Sequence, residues 1–317
     1  MYKIPTILTP DELLDKAFKK ANKVQVVVKD KSKKRKKTAI AKVRKASNAI
    51  SSTLSRYVKS FPSFDAIPIF YHELFDVTIG INALKKSLGA VDWCRKTIRS
   101  IADEAVNNIS HSKNNVYKKE QQAAAYGRFS SLLRQISDDL EFLAKARLNL
   151  LQTPLINVQI PTIVIAGAPN VGKSLLISRM SSAKPKIASY PFTTKGISVG
   201  HFDSNGLTYQ VIDTPGLLDR QMEKRNDMEQ KAILALRHLA NVIVFVLDPT
   251  EYCGYDIDSQ LSILSDIKSR FPEIPIIEVE NKVDLVRLDS PRLKTSALNG
   301  EGIEKLREVV VLQCGGN

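Results

Sequence analysis

The chain changes rhythm near its middle. Before Pro154 apolar residues recur every three or four positions, whereas after Pro161 they gather into short β-branched runs separated by polar stretches. Thr9-Pro10-Asp11-Glu12 supplies a cap hydroxyl, a first-turn proline and two carboxylates near the positive dipole end, so a helix opens there and is expected to finish near Asn22. Residues 23–29 are β-branched and fit a short extended segment without a sheet partner. Ile40, Val43, Ile50, Leu54, Val58 and Phe61 then share one helical face. Leu84, Leu88, Val91, Cys94, Ile98, Ile101 and Ala105 mark a longer helix, and Leu132, Ile136, Leu140, Leu143 and Leu151 a further one. With breaks at Pro62, 110–115 and 152–154, residues 1–153 are predicted to form an all-α helical bundle.

The second half, residues 154–317, reads as an α/β domain. Strands are expected at 162–166, 196–202, 208–213, 242–248 and 275–280, and helices at 174–180, 227–240, 258–271 and 302–312. Asp203-Ser204-Asn205-Gly206 is a hairpin turn, so one strand runs antiparallel in an otherwise mostly parallel sheet.

Between the first of these strands and its helix lies Gly167-Ala168-Pro169-Asn170-Val171-Gly172-Lys173-Ser174, the pattern G-x-x-x-x-G-K-[ST] in its required strand, loop, helix setting. The glycines let successive N–H groups of residues 168–174, apart from Pro169, which has none, turn toward a phosphate, the helix adds its positive end, Lys173 reaches the outer phosphates, and the Ser174 hydroxyl meets Mg²⁺. Asp213-Thr214-Pro215-Gly216 ends a later strand; Asp213 lies near Mg²⁺, and the Gly216 N–H is placed to bond a γ-phosphate. Alone that pattern is weak. Asn281-Lys282-Val283-Asp284 specifies the base: the Asp284 carboxylate accepts from N1–H and the exocyclic amine of guanine, Asn281 holds loops together, and the Lys282 stem lies over the base. Adenine presents an acceptor at that edge, a mismatch that can reduce affinity on the order of 10⁴-fold. Thr295-Ser296-Ala297-Leu298 follows, with a backbone N–H, assigned to Ala297, donating to guanine O6. Four motifs in this order, each after a predicted strand, point to GTP and GDP with Mg²⁺.

Charge separates the halves further. Residues 1–150 hold 29 Lys and Arg against 14 Asp and Glu, while the rest is almost neutral, so the whole net charge of +14 resides in the helical half. Lys29, Lys31, Lys33, Lys34, Arg35, Lys36 and Lys37 form its densest run, continued by Lys42, Arg44 and Lys45. A polyanion, RNA above all, is the expected partner. The run carries no interleaved Trp, Phe or Leu, which argues against insertion into a membrane surface. A switch that binds a protein effector or acidic lipid is the alternative. No apolar run approaches the ~18 residues of a membrane span, and a cytoplasmic monomer is expected. Cys94, Cys253 and Cys314 match no metal or redox spacing, and Trp93, His72 and His111 lack a partnered constellation, so packing or surface roles are assigned to all of them.

Lys184-Pro185-Lys186 and Tyr190-Pro191-Phe192-Thr193-Thr194-Lys195 resemble the first switch of the Obg-like GTPases. By that resemblance Thr194 closes over Mg²⁺ and the γ-phosphate. Residues 248–255 (Asp-Pro-Thr-Glu-Tyr-Cys-Gly-Tyr) with Gln260, and residues 61–65 (Phe-Pro-Ser-Phe-Asp) with Phe70, Tyr71 and Leu74, resemble the nucleolar GTP-binding (Nog) family, in a short form of archaeal type. The resemblance spans both halves. It implies a helical domain ahead of a GTPase domain, action in assembly of the large ribosomal subunit, and contact with ribosomal RNA and precursor particles. Asn170 resembles the loop asparagine with which some GTPases hold K⁺. Leu217 stands where many GTPases carry a water-orienting glutamine, so slow, partner-stimulated hydrolysis is expected.

Overall fold

Thr9 and Glu12 exchange the two hydrogen bonds of a capping box, Thr9 N to Glu12 Oε2 at 2.8 Å and Glu12 N to Thr9 Oγ1 at 3.3 Å, and so open α1 (Pro10–Asn22) where the sequence places it. The computed structural model describes residues 3–153, 156–188, 196–213, 215–219 and 227–315. They fall into two compact units, 1–64 with 79–151 and 65–78 with 152–317.

In the first unit, Asp30 caps α2 (Lys31–Ser60) by accepting from Ser32 N at 2.7 Å and Lys33 N at 2.9 Å. α3 (Ile69–Thr78) belongs to the other unit, and the chain resumes with α4 (Ile81–His111), α5 (Asn115–Gln135) and α6 (Ser137–Gln152). α2 packs along α1, α4 and α5. Small side chains on α2, Ala46, Ser47 and Ser51, are buried, and the Ser51 hydroxyl donates to Arg95 O of α4 at 3.5 Å. Val43, Ile50, Leu54 and Tyr57 meet a core shared with Leu84, Val91, Cys94 and Ile98. The apolar spacing over 132–151 predicts one helix, but the structure breaks it at Ile136, because Ser137-Asp138-Asp139 is itself a helix-opening sequence. Residues 24–28 take no regular structure.

In the second unit, seven described strands form one sheet: β1 (Thr162–Ala166), β2 (Lys186–Ala188), β3 (Ile197–Ser204), β4 (Leu207–Asp213), β5 (Val242–Leu247), β6 (Ile276–Glu280) and β7 (Leu293–Lys294). Their order is β2-β3-β4-β1-β5-β6-β7. β3 runs antiparallel to both neighbours, and every other adjacent pair is parallel. The hairpin turns at Asn205 (φ 51°) and Gly206 (φ 77°), two successive left-handed residues as a tight hairpin requires. β1 and β5 are buried at every position, as befits the centre of a parallel sheet, with α7 (Lys173–Met180), α8 (Asp227–Leu234), α9 (Ile257–Arg270) and α10 (Ile303–Cys314) completing the unit. β2 and β7, three and two residues long, are too short to leave a period in the sequence.

Residues 65–78 differ most from the sequence expectation, which places everything before 154 in one helical half. α3 packs instead on α8 and on the 3₁₀ turn Ala235–His238 that follows it. Phe70, Leu74 and Phe75 are buried, while Glu73 accepts from Arg237 Nη2 at 3.0 Å and lies 3.1 Å from His238 Nε2. The Tyr71 hydroxyl accepts from Ile156 N at 2.5 Å and donates to Ile156 O at 2.8 Å.

Tyr71→Phe leaves that buried N–H and C=O without the hydroxyl, so we expect a loss of about 2 kcal/mol of stability in urea unfolding. An unchanged unfolding midpoint would mean that this contact does not fasten α3.

Candidate nucleotide-binding site

The parallel register of β1, β4 and β5 brings the loops after these strands to one edge of the sheet. Gly167 leaves β1 at φ 135°, and a Cβ there would strike the carbonyl oxygen of Val246 on β5, so only glycine fits. Its N–H donates to Leu218 O at 3.1 Å. The loop turns through Asn170 at φ 61° and reaches α7 at Gly172, φ 101°, where a Cβ would strike the Asn281 side-chain amide. Lys173 is only 9% exposed, and its Nζ donates to Gly167 O at 2.8 Å and Ala168 O at 2.7 Å. Burial pushes the Lys173 ammonium below its ordinary range, opposed by the Asp213 and Asp219 carboxylates.

Ser174 Oγ donates to Asp213 Oδ2 at 2.6 Å. Asp213 ends β4 opposite Ile165 of β1 and is fully buried. One hydroxyl and one carboxylate, both hard oxygen donors on adjoining elements, suit a Mg²⁺ ion that takes its other ligands from phosphate and water. Among the described residues no cluster of three or more His, Cys, Asp or Glu is placed to hold a metal. Thr194 and Thr214, with the rest of 189–195, lie outside the described residues. The Gly216 N–H donates to Asp219 Oδ2 at 2.9 Å, so a carboxylate meets the donor that the sequence assigns to the γ-phosphate. Leu217 is fully buried and supplies no polar group.

Asn281 is the junction of the base end. Its Nδ2 donates to Val171 O of the phosphate loop at 2.9 Å, and its Oδ1 accepts from Ala297 N at 2.9 Å and Thr295 Oγ1 at 3.4 Å. The Ala297 N–H, assigned from the sequence to guanine O6, is therefore engaged by Asn281 in this structure. Ser296 is buried, its N–H donating to Glu301 O at 3.0 Å and its hydroxyl accepting from Asn299 N at 3.4 Å, whereas Leu298 is exposed. Asp284 is exposed and Val283 beside it is buried. Lys282 takes a left-handed backbone, φ 62°, and its Nζ meets Asp248 Oδ2 at 2.5 Å.

Four supporting side chains carry no sequence signal of their role. Arg179 of α7 clamps the 295–298 loop, donating from Nε to Ala297 O at 3.0 Å and from Nη2 to Leu298 O at 2.6 Å. Glu280, 1% exposed at the end of β6, gathers Ser290, Arg292 and Lys294. Burial works to raise its carboxyl, but Lys294, Ser290 and Arg292 outweigh it and hold the group below the usual carboxylate range. Asp248 and Asp219 are the others. Each pairs with a residue far enough along the chain, or in a loop irregular enough, that spacing does not announce it.

The family model described as "NOG1 N-terminal helical domain" matches residues 1–157, and that described as "Nucleolar GTP-binding protein 1 (NOG1)" matches residues 227–284. An uncharacterised protein of Methanocaldococcus jannaschii is 40% identical over 296 residues, 92% of this chain and 82% of that protein. Nucleolar GTP-binding protein 1 of Saccharomyces cerevisiae is 30% identical over 287 residues, covering 90% of this chain and 44% of the yeast protein; the Drosophila melanogaster protein of that name is 34% identical over 233 residues, 74% and 36%. The chain thus spans less than half the length of these two nucleolar relatives. A crystal structure of putative nucleolar GTP-binding protein 1 from Plasmodium falciparum aligns with 51% of this chain and 90% of that one at 34% identity and a TM-score of 0.46. With one family model on the helical half, the other on the α/β half and a relative matched along most of both chains, this chain belongs to the NOG1 family of GTP-binding proteins.

Proposed function

We infer that this NOG1-family GTPase is a nucleotide-operated switch in assembly of the large ribosomal subunit, hydrolysing GTP to GDP and phosphate while its helical half contacts ribosomal RNA. The observation that carries the nucleotide reading is Asn281, whose one amide ties the phosphate loop to the 295–298 loop and so holds the loops assigned to phosphate and base against each other. Lys173 and the N–H groups of Ala168 and of 170–174 would take the phosphates, and Asp284 the guanine edge. Mg²⁺, held by Ser174 and Asp213 with Thr194 by family resemblance, would neutralise phosphate charge when bound. We place the protein as a cytoplasmic monomer acting on precursor particles; among the described residues no helix is long and apolar enough to cross a membrane.

The RNA reading rests on where the charge stands. Lys33, Lys34, Arg35 and Lys37 are exposed near the start of α2, where a cation in the first turn opposes the helix dipole by roughly 0.3–1 kcal/mol. Asp30 is the single carboxylate offsetting them there, its own carboxyl held low by the N–H groups of Lys33 and Ser32. Such a run weakens its own helix, and a polyanion gives it a use. Lys36 differs, because its Nζ donates to Ser110 O at the end of α4 and serves the fold. Two grooves beside α2, one lined by Lys34, Arg35 and Lys119 and the other by Lys20, Lys23 and Lys45, include no carboxylate among their lining residues. Few aromatic platforms accompany these cations, so phosphates rather than bases would be read.

Three measurements test this reading. Asp284→Asn presents an amide donor to the edge where guanine itself donates, so GTP affinity should fall while xanthine nucleotides gain; unchanged GTP affinity in a fluorescent-nucleotide titration removes Asp284 from base recognition. With buried Leu217 in place of a water-orienting side chain, turnover of the isolated protein should stay far below one per second. If Asn170 holds K⁺, exchange for Na⁺ slows it further, and equal rates in both salts exclude that use. Replacing Lys33, Lys34, Arg35 and Lys37 by Ser, with Lys36 kept, should lower the log–log salt slope of binding to large-subunit rRNA by about two to three units, at roughly 0.7 to 0.9 per phosphate contact, and leave GTP binding intact. The same slope and affinity as the parent would reduce the run to a solvated face.

A further inference from the structure

Asp248 follows β5, is fully buried, and has no part in the nucleotide chemistry described above. Its carboxylate is nevertheless fully engaged. Oδ1 accepts from Thr250 N at 3.0 Å and Thr250 Oγ1 at 2.6 Å, while Oδ2 accepts from Cys253 N at 3.0 Å and Lys282 Nζ at 2.5 Å. Gln260, also fully buried, holds the backbone on either side: Oε1 accepts from Asp248 N at 2.8 Å, and Nε2 donates to Asp248 O at 3.0 Å and Tyr255 O at 2.9 Å. Burial works to raise the Asp248 carboxyl, but Lys282 and Thr250 outweigh it and keep it below the usual carboxylate range. The loop 248–255 is thereby rigid at its base, with Tyr252 standing 79% exposed at its crest.

Lys282 is constrained at both ends. Its backbone takes a conformation that a residue bearing Cβ seldom adopts, which fixes the direction in which the side chain leaves, and its ammonium ends on a carboxylate shielded from water. A buried anion needs a cation, so the ammonium has one strongly favoured place. A free lysine loses rotamer freedom when ordered; here that ordering is completed by folding and does not fall on nucleotide binding. We propose that Asp248 is a positioning residue for guanine nucleotide: by anchoring Lys282 Nζ it holds the lysine stem as a fixed floor for the base. Through the same carboxylate it ties the 248–255 loop to the base site. This rests on the GTPase reading.

The test is the dissociation rate of a fluorescent GDP from the full chain at fixed Mg²⁺. Lys282→Met keeps the apolar stem and deletes the anchored ammonium, and Asp248→Asn keeps one acceptor oxygen for a loop N–H while deleting the anion. Each is expected to speed dissociation about tenfold, and the double variant to be no faster than Lys282→Met alone. Thr250→Val, which takes a hydroxyl from the same carboxylate but leaves the ammonium pair, should change the rate less than twofold, and kcat of Asp248→Asn at saturating GTP should stay within twofold of the parent. Multiplied effects in the double variant, an unchanged rate in Asp248→Asn, or a Thr250→Val effect as large as that of Asp248→Asn would each overturn the proposal. Should Asp248→Asn fail to fold, Lys282→Met and Thr250→Val decide it alone: a fast first and a normal second support anchoring, and any other pair of results overturns it. A parent chain that takes up no guanine nucleotide would instead overturn the GTPase reading itself, and this inference with it.

Discussion

Loops that leave the carboxyl ends of parallel strands have no ladder to hold them, and in this protein one side-chain amide does much of that work. Asn281, 2% exposed, spends its donor on Val171 O and its acceptor on Ala297 N and Thr295 Oγ1, so loops that follow β1 and β7 are fixed against the loop that follows β6. Its reach also explains the backbone it touches, since Gly172 must lack a Cβ for the amide to pass. A donor and an acceptor buried together are worth more than their net hydrogen-bond energy suggests, because removing the side chain strands a buried carbonyl and a buried N–H at once. Around this junction stand buried or clamping ionic groups of the same kind: Glu280 with Arg292 and Lys294, Asp248 with Lys282, and Arg179 on two carbonyls of the 295–298 loop. The nucleotide edge of the sheet is a set of irregular segments held by polar side chains, each of which would be costly to leave unpaired.

The helical unit follows another logic. Its core is ordinary apolar packing along α2 and α4, but the exposed start of α2 carries cations where a helix least tolerates them. Asp30 and the wrap of Lys36 onto Ser110 O are the two local compensations. Of the five consecutive basic residues 33–37, then, one serves the fold and four are exposed to solvent.

The chain passes between its two units at 64/65, 78/79 and 151/152. The excursion between the first two passages holds α3, which rests on α8 and the turn after it. Glu73 with Arg237 and His238, and Tyr71 with Ile156, fasten it. Phe70, Tyr71 and Leu74, which carry part of the family resemblance, are thus packing residues of the α/β unit.

The sequence by itself determined the elements that rest on local periodicity and on obligate backbone chemistry. Strands at 162–166 and 276–280, the Asn205-Gly206 hairpin, the Thr9 cap and the phosphate loop were legible because each needs particular residue types at fixed spacing, whatever the rest of the molecule does. The Asn281-to-Asp284 pattern that we propose reads guanine was legible for the same reason. Tertiary structure alone decided matters that depend on residues far apart in the chain. An apolar face on α3 says that the helix is buried but not against what, so its place beside α8 could not be read from spacing. The ion pair of Asp248 with Lys282, 34 residues apart, exists because β5 and β6 are parallel neighbours that bring the residues after their ends together. Whether Lys36 meets a phosphate or a helix terminus was likewise settled by how α2 lies on α4, since a charge in a sequence carries no record of what it will touch once the chain has folded.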